Sequence, residues 1–210
     1  NDTEKSKIKA AIKALENESS GEIVTYFASR SDDYNEAKWI AALIFMVSTA
    51  LALAIFSIKW WLPGAIGPLS TSIFIIASGL IGFSIAQFIP KYRLNLMNSD
   101  TIDIRVRQKA VEVFLNEEIF KTRDRTGILF YISMLEHRII VLADSGINSK
   151  VEQSDWDHVV EVIRNGLKSG KVADGMAEAI ELCKKLLLDN GFIVRPDDTN
   201  ELSDDIRIED

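Results

Sequence analysis

Three carboxylates stand where strands begin or end. Glu22 heads the run Glu22-Ile-Val-Thr-Tyr-Phe-Ala28, Asp124 lies in Thr122-Arg-Asp-Arg-Thr-Gly127, and Asp144 lies in Ala143-Asp-Ser-Gly-Ile147. Asp124 and Asp144 meeting at one edge, with Glu22 as a third ligand, would form a site for Ca2+ or Mg2+, which prefer oxygen ligands. A cation held there would position a phosphate ester for hydrolysis. The same residues also have a plainer reading. Asp144 opens a turn and accepts backbone N–H bonds, while Asp124, flanked by Arg123 and Arg125, is an ion-pair residue. No Walker or dinucleotide glycine pattern, Ser or Cys nucleophile motif or pair of His ligands accompanies them, so no catalytic residue can be named.

A second group suits contact with a surface rather than chemistry. Arg105, Arg107 and Lys109 follow an apolar stretch and are placed to enforce membrane topology or meet anionic lipid. Glu136 and His137, in the connection Leu135-Glu-His-Arg138, are candidates for contact with headgroups or a partner, with solvent-exposed turn residues as the default.

Composition sets the bounds. The 210 residues are 47% hydrophobic, with 24 basic against 31 acidic side chains. That apolar content excludes disorder, and the single Cys183 excludes a disulfide scaffold. A net charge of −7 without an offsetting Lys/Arg cluster argues against nucleic acid. Six of those seven net negative charges fall in residues 196–210, an acidic tail with too few apolar residues to bury and therefore expected to stay mobile.

The mean hydropathy hides two chemistries. Trp39 to Ile58 is twenty consecutive uncharged residues, which as a helix reach roughly 30 Å, the thickness of a bilayer's hydrocarbon core. After Lys59 no charge appears until Lys91, and Ser72 to Pro90 forms a second apolar run. Neither run has the polar face of a soluble helix. The spacing predicts a transmembrane hairpin, 39–90, with spans 39–58 and 72–90. Trp60 and Trp61 suit the headgroup boundary, and Pro63, Gly64, Gly67 and Pro68 suit the turn between spans. Ser78, Gly79 and Gly82 allow close packing against the first span or against another copy, giving a homo-oligomer through the hairpin. Lys38, Lys91 and Arg93 flank one side and Lys59 alone the other, so both soluble segments are expected in the cytoplasm. The charged, amphipathic start, Asn1 to Leu15, does not read as a signal peptide.

With the hairpin removed, residues 1–38 and 91–195 read as one discontinuous α/β domain, a mixed sheet flanked by helices. Ile8, Ile12 and Leu15 predict a helix over 4–17, and 22–28 a strand. Val106, Ala110, Val113, Phe114 and Phe120 predict a helix over 101–121. Residues 127–133 and 139–143 form a hairpin, with the strand at 127–133 parallel to the first by a right-handed crossover. Ser154 and Asp157 have the spacing of a capping box ahead of a helix that Ser169-Gly170 ends. A last helix, 173–189, which Asn190-Gly191 stops, places Cys183 in the core, where it is inert.

Ser20-Gly-Glu-Ile23, Thr122-Arg-Asp-Arg-Thr-Gly127 and Ala143-Asp-Ser-Gly-Ile147 together resemble the TPM domain. The order of elements and the closing Asn200-Glu-Leu202 resemble its membrane-embedded bacterial branch, which carries a hairpin after the first strand. The resemblance implies a bacterial inner-membrane protein, and the two spans with their basic flanks make it multi-pass with cytoplasmic ends. With no catalytic set beside the anchor, the expected role is a non-catalytic adaptor that holds an unidentified membrane protein partner beside the lipid bilayer. The alternative is a divalent-metal-dependent phosphatase using Asp124, Asp144 and Glu22. Family roles run from auxiliary factors beside membrane proteins to a proposed acid phosphatase, with divalent cations bound through Asp side chains. One departure lies at Asp189-Asn-Gly-Phe-Ile-Val-Arg-Pro196, where that branch often has His-Phe-Pro. A role resting on that His does not transfer.

Overall fold

The computed structural model describes residues 2–58, 67–195, 201–203 and 205–209. The chain divides into two compact units, 1–31 with 104–210, and 32–103.

The first unit is built on a four-stranded mixed sheet, in which β1 (Glu22–Ala28), β2 (Gly127–Ser133), β3 (Arg138–Ala143) and β4 (Arg207–Glu209) stand in the order β3-β2-β1-β4. β1 pairs parallel with β2, Glu22 opposite Gly127 and Ala28 opposite Ser133. β3 returns antiparallel to β2. Every residue of β2 is buried, as a central strand covered on both faces requires. Ile23, Ile128, Phe130, Ile132 and Val141 point into one core with α1 (Asp2–Glu16), α7 (Gln153–Lys168) and α8 (Val172–Asp189). The alternate strand positions, among them Val24, Leu129 and Tyr131, are also buried. On that side α5 (Ser99–Asn116) reaches β4 through Lys109 paired with Glu209, and Glu117, just past the end of the helix, pairs with Arg207.

Several expectations are adjusted. The helix predicted to run to Lys121 stops at Asn116, because Glu118 takes a left-handed φ of 55° and Ile119–Lys121 continue as a 3₁₀ turn. Phe120 therefore leaves the helical face, while Val106, Ala110 and Val113 are buried on it. The capping box lies two residues earlier than expected. Glu152 is the N-cap of α7, and its N–H donates to Asp155 at 3.1 Å. Gly170 and Gly191, at φ of 70° and 78°, follow α7 and α8 as predicted. Cys183 is in the core, and burial pushes its thiol pKa up, leaving it unreactive.

The acidic tail is the larger correction. Residues 207–209 form β4, parallel to β1 at the sheet edge. Glu209 accepts from Tyr26, and Arg207 donates to Glu117 at 2.9 Å. Three residues are too few for alternation to register as a strand, so charge dominates the sequence signal.

The second unit contains α2 (Asn35–Ile58), α3 (Pro68–Phe88) and the short α4 (Pro90–Asn95). Both α2 and α3 are long and apolar enough to cross a membrane. α2 begins four residues ahead of the uncharged run, taking Glu36 and Lys38 into its first turns. α3 starts at Pro68, whose fixed φ and missing N–H suit a first helical position. It ends before Pro90, which holds Ile89 extended at φ −119°, ψ 91°. The small residues of α3 face α2, as one expected use of them required. A Cβ on Gly82 would lie 2.7 Å from the carbonyl oxygen of Ala41, and one on Gly79 would lie 2.7 Å from Met46 Cγ. Arg93, expected as a membrane-flanking charge, is buried and donates to the Asp33 carbonyl at 2.6 Å. Trp60, Trp61, Pro63 and Gly64 lie outside the described residues.

Candidate functional site

The parallel pairing of β1 with β2 and the return of β3 bring Glu22, Asp124 and Asp144 to one pole of the sheet. Their carboxylates, however, are committed to different partners. Glu22 is only 7% exposed, and its two oxygens accept from the backbone N–H groups of Glu201 and Leu202 at 3.1 and 3.3 Å. Glu201 in turn accepts from the Arg123 N–H at 2.8 Å. The closing segment is thus laced over Glu22 from both directions.

Asp144 is the N-cap of the short α6 (Ser145–Asn148) and accepts from the Ser145 N–H at 2.6 Å. Arg125 meets both of its oxygens, Nε 2.7 Å from Oδ2 and Nη2 3.0 Å from Oδ1. Arg125 itself sits at φ 59°, a conformation costing a non-glycine residue of order 1 kcal/mol. The Gly146 N–H, bonded to the Arg125 carbonyl at 3.0 Å, helps to hold it there. Asp124 pairs with Arg195, not with its sequence neighbours. Among the described residues no group of three or more His, Cys, Asp or Glu could hold a metal ion. A Ca2+ or Mg2+ ion would have to displace a guanidinium from Asp144 and two backbone donors from Glu22, so the donor set does not fit it. The turn-opening and ion-pair readings describe Asp144 and Asp124.

The opposite pole holds a polar cluster that the sequence did not signal. Glu136, expected by default as a solvent-exposed turn residue, is 3% exposed. It accepts from the Ser31 N–H at 2.9 Å and from the Ser133 hydroxyl. The Ser31 hydroxyl donates to Ser133 Oγ at 2.8 Å and lies 2.9 Å from Tyr131 Oη. Burial pushes the Tyr131 phenol up to about 12; the Ser31 hydrogen bond opposes this, and the Glu136 charge adds to it. Glu136 ties the end of β1 to the end of β2, with its carboxylate directed inward. His137 is exposed beside it at φ 53°.

Of the basic candidates, Arg105 and Arg107 are exposed. Lys109 is half-buried, 3.4 Å from both Glu112 and Glu209. Burial pulls its pKa down, but the two carboxylates outweigh this and hold it above its ordinary value.

A mixed sheet with helices on both faces, closed at one pole by a guanidinium over a strand-end Asp, defines a mixed α/β domain. Residues 96–186 match the family model of the TPM domain. Over that stretch, which holds two of the three sequence motifs, 122–127 and 143–147, the chain is similar to the TPM domain. A solved structure, the NMR structure of BA42 protein from the psychrophilic bacterium Bizionia argentinensis, is similar in fold. Its TM-score is 0.60 at 19% identity, covering 99% of this chain and 94% of that one. No curated protein matches the chain.

Proposed function

We propose that this chain is a membrane-anchored TPM-domain adaptor. Its α/β unit would act on the cytoplasmic face of a bacterial inner membrane, beside a membrane protein whose assembly, turnover or regulation it assists. The observation that carries the anchoring is the outward surface of α2 and α3. Leu43, Leu51, Ile73, Leu80 and Phe88 are each more than half exposed, a patch that soluble surfaces rarely carry and that lipid covers without cost. The cytoplasmic assignment rests on the basic flanks, Lys38 and Lys91 above all.

The adaptor role is supported by the state of the acidic pole, where the carboxylates suited to chemistry are instead tied to Arg125, Arg195 and the closing segment. Two experiments test this reading. Full-length protein should stay in vesicles through a carbonate wash, and in-cell cross-linking followed by mass spectrometry should return one stoichiometric membrane protein. Release by carbonate would remove the anchor. Repeated absence of such a protein, together with chelator-sensitive phosphomonoester hydrolysis lost in Asp144→Asn, would replace the adaptor with a metal-dependent phosphatase.

A further inference from the structure

A cavity of about 490 Å³ opens between the β2–β3 turn and the last turns of α7. Met134, Ile139 and Leu167 give it apolar walls, while Arg164, Lys168 and His137 stand at it as polar groups. Ile132, Ser133 and Arg138 complete the lining, and among the described residues no carboxylate contributes to it. That segregation is marked in a chain where acidic side chains outnumber basic ones by 31 to 24. Arg164 and Lys168 are four residues apart on α7 and so share one face of it. The volume suits a small ligand or part of a larger one. Apolar walls with a cationic rim suit a molecule with a hydrocarbon portion and an anionic head.

The topology narrows the source of such a molecule. The cavity lies at the end of the sheet from which the chain departs for α2. Met134 N–H bonds to the Ala28 carbonyl at 2.9 Å, and Leu135 N–H to the Ser29 carbonyl at 3.0 Å. From Ser29 the chain reaches the start of α2 at Asn35 in six residues, at most about 20 Å of extended backbone. We infer that this cavity is a binding site for an anionic membrane phospholipid, its acyl portion against Met134, Ile139 and Leu167 and its phosphate among Arg164, Lys168 and Arg138. The inference rests on the membrane anchoring proposed above and adds a site, a ligand class and its residues.

Full-length protein in nanodiscs containing phosphatidylglycerol with a photoreactive acyl chain tests it, with labelled peptides mapped by mass spectrometry. The expected result is labelling of α2, α3 and the segments 132–139 and 164–168. Labelling of the latter two should fall at least fivefold in Arg164→Glu/Lys168→Glu, while that of α2 and α3 stays constant. Both positions are on the exposed face of α7, and a circular dichroism spectrum checks that the variant folds. Labelling of α2 and α3 alone would overturn the lipid site and leave the anchor standing, whereas absence of label from all four segments would overturn both. Equal labelling by a phosphatidylcholine probe would overturn the selection for an anionic head. Displacement by soluble glycerol phosphate would overturn the membrane source in favour of a free phosphate.

Discussion

Arg125 lies over Asp144 with Nε 2.7 Å from one carboxylate oxygen and Nη2 3.0 Å from the other. The guanidinium carbon is also 5.9 Å from the centre of the Phe120 ring. The pair joins the turn before β2 to the cap of α6 and uses both oxygens of the strand-end Asp.

Replacing Arg125 by Met should therefore destabilise the α/β unit. Asp144 is 5% exposed and would keep only the Ser145 N–H as a strong donor. A lost charged hydrogen bond costs about 1.5–3 kcal/mol. Asp144→Asn should cost less, because the amide oxygen still accepts. Thermal unfolding of the purified protein reads both effects, and neither EDTA nor millimolar Ca2+ should move the wild-type midpoint. A Ca2+-dependent rise that Asp144→Asn abolishes would restore the cation site.

Tyr26 is pushed up to about 12, first by burial and then by its hydrogen bond to Glu209 and that group's charge. Burial also takes Tyr131 to about 12. Both phenols hold their proton more tightly folded than unfolded. The stability they contribute is complete below pH 10, the ordinary tyrosine value, and is lost as the pH rises through about 12. Alkaline unfolding should accordingly steepen above pH 10. Difference absorbance against Tyr26→Phe should show that Glu209→Gln lowers the Tyr26 titration toward 10, and an unchanged curve would dissociate Tyr26 from the tail.

Glu136→Ala should loosen the junction of β1 and β2, because the Ser31 N–H and the Ser133 hydroxyl both lose their acceptor. A buried donor without an acceptor costs about 1–3 kcal/mol. Glu136→Gln keeps an acceptor and should recover most of that loss in the same unfolding assay. Equal effects of the two substitutions would mean that charge, not acceptor geometry, matters at this position.

Within the hairpin, Gly82→Ala should be worse tolerated than Gly79→Ala. The new methyl at 82 meets a backbone carbonyl at 2.7 Å, whereas at 79 it meets the flexible Met46 side chain. Disulfide trapping between cysteines placed on α2 and α3 should fall more for Gly82→Ala, and the reverse order would contradict the helix contact.

The sequence by itself determined most of the helices and the three longer strands. Uncharged length announced α2 and α3, the 3.6-residue recurrence of Ile8, Ile12 and Leu15 announced α1, and Ser169-Gly170 and Asn190-Gly191 announced where α7 and α8 end. These are local signals, carried by burial period and backbone permission, and they survive whatever the rest of the chain does. The motifs at 122–127 and 143–147 likewise carried the resemblance to the TPM domain.

Only the tertiary structure decided who partners whom. Asp124 turned to Arg195 and Asp144 to Arg125, and Glu22 was taken by the N–H groups of Glu201 and Leu202. Glu136 went inward because Ser31 and Ser133 arrived from two strands to meet it. A tail whose charge read as solvated became β4 because β1 had an open edge. Each of these outcomes depends on groups distant in sequence competing for one carboxylate or one strand edge. Charge and spacing along the chain do not encode the winner, because the energy separating the alternatives exists only once both partners are in place.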